Sequence, residues 1–579
     1  MRYYIGLAST FHDPALAIVA PDGEVLFAEA TERFLQYKRA PNCEPDLAPR
    51  MASLIRRWIP EGAEIVVATS WGEAFSSFLD SSARTGAFDL ASLATLSPEL
   101  NRSFVPERSE RALVASLHLQ QRRAGIGTLI GLDRAGGGRR FSALRRYGHH
   151  VSHAAYACGT SPFAEAACLV VDGMGETGAH ALFAYEGGRL RELKRHRGRG
   201  SVGFFFGLVT DLAGFDQAAG EEWKIMGLAP YGRRDPDLMA LLRRLYRIDG
   251  TRLSFADAET IRAVAAELLA RRPPEAATEG WADLSRCGQD AFEEMMTAYL
   301  AEARELSGSE NLVLAGGCAL NSSFNGKVVG GGHGVGRLHV PSAPADDGNA
   351  IGAAWLALAE DEPDWRAPAG PATPYLGSTV STEPLERMTA WEPRLKRLGH
   401  DSAIEAAADI LADGKLVGWV QGRAEFGPRA LGNRSILADP RPADAKALLN
   451  AKVKYREAFR PFAPSILAEH GAEWFEGYQD SPYMERTLVW REGLRARVPA
   501  VVHEDGTGRL QSVTAARNPR YAALLSAFMA RTGVPILLNT SFNVMGKPIL
   551  HSAEDAILMF YTTGLDAIVV EDWLLTKDA

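Results

Sequence analysis

The stretch "AACLVVDGMGETGAHALFAYEGGRL", residues 166–190, reads as strand, turn, strand, turn. Its first apolar run ends at Asp172-Gly173 and its second stops at Gly187-Gly188. Apolar runs separated by Gly with an acidic neighbour are a hairpin signal, because Gly and Asp tolerate the tight backbone of the turn. The N-terminus follows the same logic. "YYIGLAST" (3–10) is a strand, and "PALAIVAPDGEVLFAEA" (14–30) gives two more around Asp22-Gly23. Two strand-turn-strand units, each with a polar or acidic first turn, imply an internal duplication. Downstream, "ENLVLAGGCALNSSFNGKV" (310–328) predicts a buried strand and a Gly-Gly turn, and "DDGNAIGAAWLALAE" (346–360) predicts an apolar helix with an acidic start.

The order of these pieces resembles the actin-like and Hsp70-like ATPase fold, in which hairpin turns and helix N-termini surround nucleotide phosphates. At 579 residues the chain is too long for one core, so at least two domains are expected. "EDEPDWRAPAGPATPYLGSTVSTEP" (360–384) is rich in Pro, Gly, Ser and Thr, and predicts a boundary. The expected division is an ATPase-fold domain over 1–361, a linker over 362–385, and a second α/β domain over 386–579. The segment 76–145 says less. Its part "RRAGIGTLIGLDRAGGGRRFSALRR" (122–146) reads as a basic, Gly-rich loop or a subunit contact.

Composition excludes several classes. No apolar run is long enough to span a membrane. The N-terminus reads as a strand, not a signal peptide. Five cysteines with no C-x-x-C pair indicate neither a disulfide framework nor a zinc knuckle, and fit a reducing cytoplasm. A net charge of −8 weighs against a nucleic-acid partner.

"HHVSHAA" (149–155) carries three histidines. On a helix, His149 and His153 share one face about a turn apart, while His150 points about 100° away. Two imidazoles four residues apart can hold one metal; solvent-facing or capped histidines have the same spacing. Asp172 ends an apolar strand, and Asp346 opens a helix. A turn cap and an N-cap explain these acids individually. Together the four residues supply mixed N and O ligands, a set suited to Fe(II), Mn(II) or Zn(II) rather than calcium.

The motifs "FHDPALAI", "ATERF", "HHVSHAA", "VVDGMGE", "GEEWKIMGLAPYG", "AGGCALNSSFNGK", "GRAEFGPRALGNRSILADPR", "VKYREAFRPFAPS", "EDGTGRLQSV" and "LLNTSFNVMGKPI" run the length of the chain. In this set and order the sequence resembles the NodU/CmcH O-carbamoyltransferase family of antibiotic and other natural-product carbamoyltransferases. The resemblance implies an N-terminal domain similar to the tRNA threonylcarbamoyl transferase of the ATPase fold, and a C-terminal YrdC-like α/β domain. It implies that carbamoyl phosphate and ATP, with Mg, form carbamoyl-adenylate. The carbamoyl group then passes to a hydroxyl of a small-molecule acceptor. Fe(II), or another first-row divalent ion, would be held by His149, His153, Asp172 and Asp346. The implied carbamoyl-phosphate pocket is Arg429, Lys454, Arg460, Arg509, Asn539 and Ser541. His12 in "STFHDPA" is the implied base for the acceptor hydroxyl.

These assignments agree with the residue chemistry. Phosphates need converging cations. "GRAEFGPRALGNR" offers Arg423, Arg429 and Arg434, "VKYREAFRP" adds Lys454, Arg456 and Arg460, and "DGTGR" adds Arg509. Gly316, Gly317 and Asn321 in "GGCALN" suit close backbone approach to a nucleotide. Lys224 is either a phosphate partner or a solvated lysine.

The chain departs from the family at Arg39, where many members carry histidine, and at Lys547, where a glutamate is expected. Segment 76–145 is the expected source of acceptor contacts, and a homodimer is the default assembly. Two other functions fit parts of the sequence. A tRNA threonylcarbamoyl-type transferase is opposed by the acidic balance and the fused second half. A non-catalytic Hsp70-like nucleotide switch leaves the Arg/Lys-rich second domain unexplained. No P-loop is present, since Gly326-Lys327 is followed by Val328.

Overall fold

A computed structural model describes residues 1–77, 79, 107–198, 200–272, 278–367 and 373–577. The chain divides into two compact units. The first comprises Met1–Glu32, Arg39–Asn321 and Lys327–Ala372; the second comprises Arg33–Lys38, Ser322–Gly326 and Thr373–Ala579. The main division therefore falls inside 362–385, and two short segments from within 1–361 are counted with the second unit. Residues 373–385 are not a free linker, because Val380 and Leu385 are buried in the second unit's core.

Unit one contains the duplication. Its first sheet joins β1 (Arg2–Ala8), β2 (Ala15–Val19), β3 (Val25–Ala30), β4 (Glu64–Thr69) and β5 (Arg140–Arg146) in the order β3-β2-β1-β4-β5. The β1–β2 and β2–β3 pairs are antiparallel, and β1–β4 and β4–β5 are parallel. The second sheet is built from β6 (Glu165–Val171), β7 (His180–Glu186), β8 (Arg189–Arg195), β11 (Asn311–Ala315) and β12 (Arg337–His339). Its order, β12-β11-β6-β7-β8, repeats the first with the same parallel and antiparallel pairings. A small hairpin of β9 (Tyr246–Asp249) and β10 (Arg252–Phe255) stands apart. Two five-stranded sheets of one topology are the signature of the actin/Hsp70-like ATPase fold, as the glycine-punctuated repeats predict.

The first sheet buries Ile5, Leu7, Leu16, Ile18, Ile65 and Val67 against Met51, Leu54 and Ile55 of the helix Ala48–Trp58. Fully burying a side chain of this size contributes about 1.5–3 kcal/mol. The helix Asn349–Asp361 lies so close to β1 that a Cβ on Gly6 would stand 1.7 Å from the Ala350 carbonyl oxygen. The same helix meets the helix His149–Gly159, where a Cβ on Gly352 would reach 1.9 Å from the Ser152 oxygen. These two glycines let backbone touch backbone, which brings the start of one helix, near Asp346, to the histidines of the other.

The segment 122–146 is not a loop. It forms the helix Ile126–Ala135 and then β5, the edge strand of the first sheet. Its arginines lie on a partly exposed edge, so the apolar alternation of a strand is missing. The expected acceptor contacts at 80–106 lie outside the described residues.

Unit two is built on one nine-stranded mixed sheet in the order β13-β21-β20-β14-β15-β19-β16-β18-β17. The strands are β13 (Leu395–Arg397), β14 (Val417–Val420), β15 (Arg434–Ala438), β16 (Ala463–Leu467), β17 (Arg486–Val489), β18 (Thr507–Val513), β19 (Ile536–Ser541), β20 (Ala567–Val570) and β21 (Trp573–Thr576). Helices His400–Ala412, Pro519–Thr532 and Ala553–Thr562 contribute their apolar faces to its core. This is the expected α/β class. Among the described residues no helix is long and apolar enough to cross a membrane.

Candidate metal centre and anion pocket

The helix His149–Gly159 starts beside β6, and the turn after β6 delivers Asp172 to its first turn. Asp346 arrives on the short helix Asp346–Gly348. One ligand atom from each of His149, His153, Asp172 and Asp346 lies within 4.8 Å of every other. His149 Nε2 is 3.0 Å from Asp172 Oδ2, 3.4 Å from Asp346 Oδ1 and 3.3 Å from His153 Nε2. His153 Nε2 is 3.3 Å from Asp172 Oδ2 and 3.4 Å from Asp346 Oδ1. Atoms about 2.1 Å from a common ion stand about 3.0 Å apart at right angles and about 3.4 Å apart at the tetrahedral angle. The five spacings that involve an imidazole thus fit a first-row divalent ion.

The second oxygen of Asp172 is already committed. Asp172 Oδ1 accepts from the Gly173 amide at 2.8 Å and the Gly317 amide at 3.1 Å, which turns Oδ2 to the imidazoles. Gly316, at φ +86°, sits so close to β6 that a Cβ would meet the Val171 oxygen at 2.2 Å. Trp71 stacks on His149 at 4.4 Å, and Glu176 Oε1 accepts the His149 amide at 2.6 Å, anchoring the uncapped helix start.

Burial pulls the His149 imidazole down, but Asp346 and Asp172 overcome it and push it up to about 10. Burial raises Asp172, yet its bonds to His149 and His153 hold it well below the carboxylate range. A divalent ion would take the place of those imidazole protons, so its binding releases protons. His150 is buried against Gly175 and turned out of the cage, as the helical spacing predicts.

Asn349 is a feature the sequence reading missed. Its Nδ2 lies 3.3 Å from His149 Nδ1, while its Oδ1 is buried with no partner among the described residues. With its amide oxygen facing the ring, Asn349 accepts from Nδ1–H and fixes the tautomer that leaves Nε2 bare for a metal. Asn349→Leu is therefore expected to weaken metal affinity by about 10- to 100-fold, measured by competition with a chelator.

The second unit gathers half-buried arginines around the buried Lys454. Burial lowers Arg429 to about 10. Burial, then Arg456 and Arg460, push Lys454 well below its ordinary value. Burial and Arg460 lower Arg456 to about 9, and Arg509 is depressed by burial and by Arg429, Arg456 and Arg460. Glu457, 3.2 Å from Arg460, offsets part of this charge. Like charges held together out of water cost several kcal/mol unless an anion joins them. Lys454 Nζ is also ringed by Asn543 Oδ1 at 2.8 Å, the Asn543 carbonyl at 3.0 Å and Ser541 Oγ at 3.3 Å.

Other residues named for this pocket have different partners. Arg434 is fully buried and donates to the carbonyls of Gln421, Asn433, Ser378 and Gly422. Arg423 donates to the carbonyls of Gly377 and Leu376. Both brace the fold. Asn539 Nδ2 donates to Ser465 Oγ, Gln511 Oε1 and the Ala430 carbonyl, leaving Oδ1 with no partner among the described residues. Glu425, not anticipated, accepts the amides of Leu431, Asn433 and Arg434 at 2.8–3.0 Å on one oxygen and pins the loop that carries Arg429. Lys547 is exposed in a turn.

Of the nucleotide candidates, Asn321 exchanges hydrogen bonds with Gln289 at 2.9 and 3.2 Å. Lys224 pairs with Glu221 at 2.5 Å, 5.1 Å above the Phe215 ring, so it is not a solvated lysine. His12 lies in the loop between β1 and β2 with 38% of its side chain exposed.

Residues 126–355 match the family model described as carbamoyltransferase N-terminus, and residues 408–577 match that described as carbamoyltransferase C-terminus. Nodulation protein NolO of Bradyrhizobium diazoefficiens is 39% identical over 74% of this chain and 78% of its own length. An uncharacterised Synechocystis protein is 34% identical over 100% of this chain and 97% of its own length. For the NolNO nodulation protein of Sinorhizobium fredii, also 39% identical over 74% of this chain, the match spans 63% of that relative. Among solved structures, full-length HypF in its phosphate- and nucleotide-bound form covers 62% of this chain and 56% of its own. At 11% identity and a TM-score of 0.34, that likeness carries no argument. Matched by both family models and by relatives along its whole length, the chain belongs to the carbamoyltransferase family.

Proposed function

We propose that this carbamoyltransferase is an ATP-dependent O-carbamoyltransferase that works in two steps. In the first, carbamoyl phosphate and ATP meet among Arg429, Lys454, Arg460 and Arg509. Water converts carbamoyl phosphate to phosphate and carbamate. A carbamate oxygen then attacks the α-phosphorus of ATP, the bond to the β-phosphate oxygen breaks, and pyrophosphate leaves. The product is carbamoyl-adenylate. The observation that carries this reading is the group of mutually repelling, half-buried arginines around the buried Lys454, which an anionic substrate would relieve. Ser541 and Asn539 are the neutral groups beside it, suited to a carbamoyl oxygen or amide.

In the second step a hydroxyl of a small natural product attacks the carbamoyl carbon, and AMP leaves with the bonding electrons. His12 accepts the hydroxyl proton as the new C–O bond forms. His149, His153, Asp172 and Asp346 would hold Fe(II) or a related divalent ion, which supplies Lewis-acid polarisation of the adenylate oxygens. Gly316, Gly317, Asn321 and Lys224 line the proposed nucleotide side of the same unit.

Purified protein given ATP and carbamoyl phosphate is expected to release pyrophosphate, with AMP following as an acceptor hydroxyl or water takes the carbamoyl group. Release of ADP, or of AMP without carbamoyl phosphate, would contradict the adenylate step.

A further inference from the structure

The loops around His12 carry an arrangement that neither the metal centre nor the cation pocket uses. His12 Nδ1 is 2.8 Å from Asp13 Oδ2, and the same oxygen accepts from Arg39 Nε at 3.3 Å. The Arg39 guanidinium also reaches the Gln217 carbonyl at 3.4 Å. It lies so close to Gly220 that a Cβ there would meet Arg39 Cδ at 2.7 Å. The two loops are tied by backbone bonds, Asp13 N to the Arg39 carbonyl at 2.8 Å and Asn42 N to the Phe11 carbonyl at 3.0 Å. Four residues here, Asp13, Arg39, Ala40 and Asn42, hold φ between +41° and +59° without being glycine. Left-handed backbone at non-glycine residues is uncommon, and it concentrates where a fold fixes a side chain against local preference.

We infer that Asp13 is the positioning residue of His12 and that Arg39 holds Asp13 in place. This deepens the proposed function and rests on its reading of His12 as the base. An ionised carboxylate can only accept, so His12 Nδ1 must carry the proton in the 2.8 Å bond. Nε2 is then the bare nitrogen, able to take a hydroxyl proton. Arg39 donates to the same carboxylate oxygen and prevents it from swinging away. Arg39 is the position where this chain departs from the family's histidine, so the arginine arm of the clamp is particular to this sequence.

The test is the ring-nitrogen NMR spectrum of the full chain labelled with 15N-histidine, at a pH where His12 is neutral. The His12 signals are identified by their loss in His12→Gln. In the wild type the Nδ1–H tautomer should dominate by about tenfold or more, the preference that a hydrogen bond to a charged group supplies. In Asp13→Asn the preference should narrow, because Arg39 holds the amide oxygen where Oδ2 stood and a neutral oxygen accepts more weakly from Nδ1–H than a carboxylate does. Asparagine tolerates the left-handed backbone at this site, which makes it the gentlest substitution. Arg39→Gln should narrow the wild-type preference without reversing it. A wild-type spectrum dominated by Nε2–H, or an unchanged preference in folded Asp13→Asn, would overturn the inference. The wild-type measurement needs no variant of Asp13 and no substrate. If instead the tautomer is as expected but His12→Gln still turns over carbamoyl-adenylate to AMP at the wild-type rate, the base reading fails and the clamp stands.

Discussion

Arg509→Met should lower pyrophosphate release from ATP and carbamoyl phosphate by on the order of 100-fold while making the substrate-free protein more stable. The two effects have one cause. Arg509 is half-buried beside Arg429, Arg456 and Arg460, and its charge is unfavourable in the fold until an anion arrives. A guanidinium whose pKa is depressed by folding costs stability at every pH below that depressed value, so a neutral side chain of similar length removes the cost. The same change removes a charge-assisted, two-pronged contact to phosphate, worth about 1.5–3 kcal/mol per bond. Thermal unfolding without ligand should shift up by about 2–4 °C, the change that about 1 kcal/mol gives a domain of this size. The stabilisation that carbamoyl phosphate gives the wild type should vanish in the variant. An unchanged pyrophosphate rate would remove Arg509 from the pocket, and a lower unfolding temperature would show that its charge is compensated.

His153→Ala should separate the two half-reactions. His153 is buried, and its Nε2 is within 3.4 Å of three other ligand atoms. Losing one of four ligands should take metal content from about one per chain to near zero after dialysis. Carbamoyl transfer should be lost with it. Pyrophosphate release should stay within about twofold of wild type, because the anion pocket lies in the other unit and no ligand of the cage belongs to it. A second readout does not depend on activity. Metal at 100 times its dissociation constant stabilises a folded protein by about 2.7 kcal/mol, so the wild type should gain several degrees on metal addition and the variant almost none. Equal metal content in both proteins would exclude His153 as a ligand.

The duplicated fold was legible because its signals are local. Asp172-Gly173 and Asp22-Gly23 mark turns between apolar runs, and each run became a buried strand of one of the two matching sheets. The cage was legible for a related reason, since four-residue spacing on a helix puts His149 and His153 on one face whatever the rest of the chain does. Basic side chains misled in two ways. In β5 they occupy an edge strand whose side chains need not be apolar, so the strand reads as a loop. In the second unit, Arg423 and Arg434 look like phosphate ligands, but a guanidinium with five donors binds carbonyl oxygens as readily as phosphate. Sequence spacing does not record which acceptor is nearby. Asn349 and Trp71 act through a partner far off in the chain, His149, and only the packed structure brings it within reach.

The most direct test of the account is an anomalous-scattering map from crystals of the full chain loaded with Fe(II) under anaerobic conditions. The account predicts one strong peak per chain at the iron edge, about 2.1 Å from Nε2 of His149 and His153 and from a carboxylate oxygen of Asp172 and Asp346. A peak anywhere else, or no peak in protein that still transfers carbamoyl groups, would contradict it.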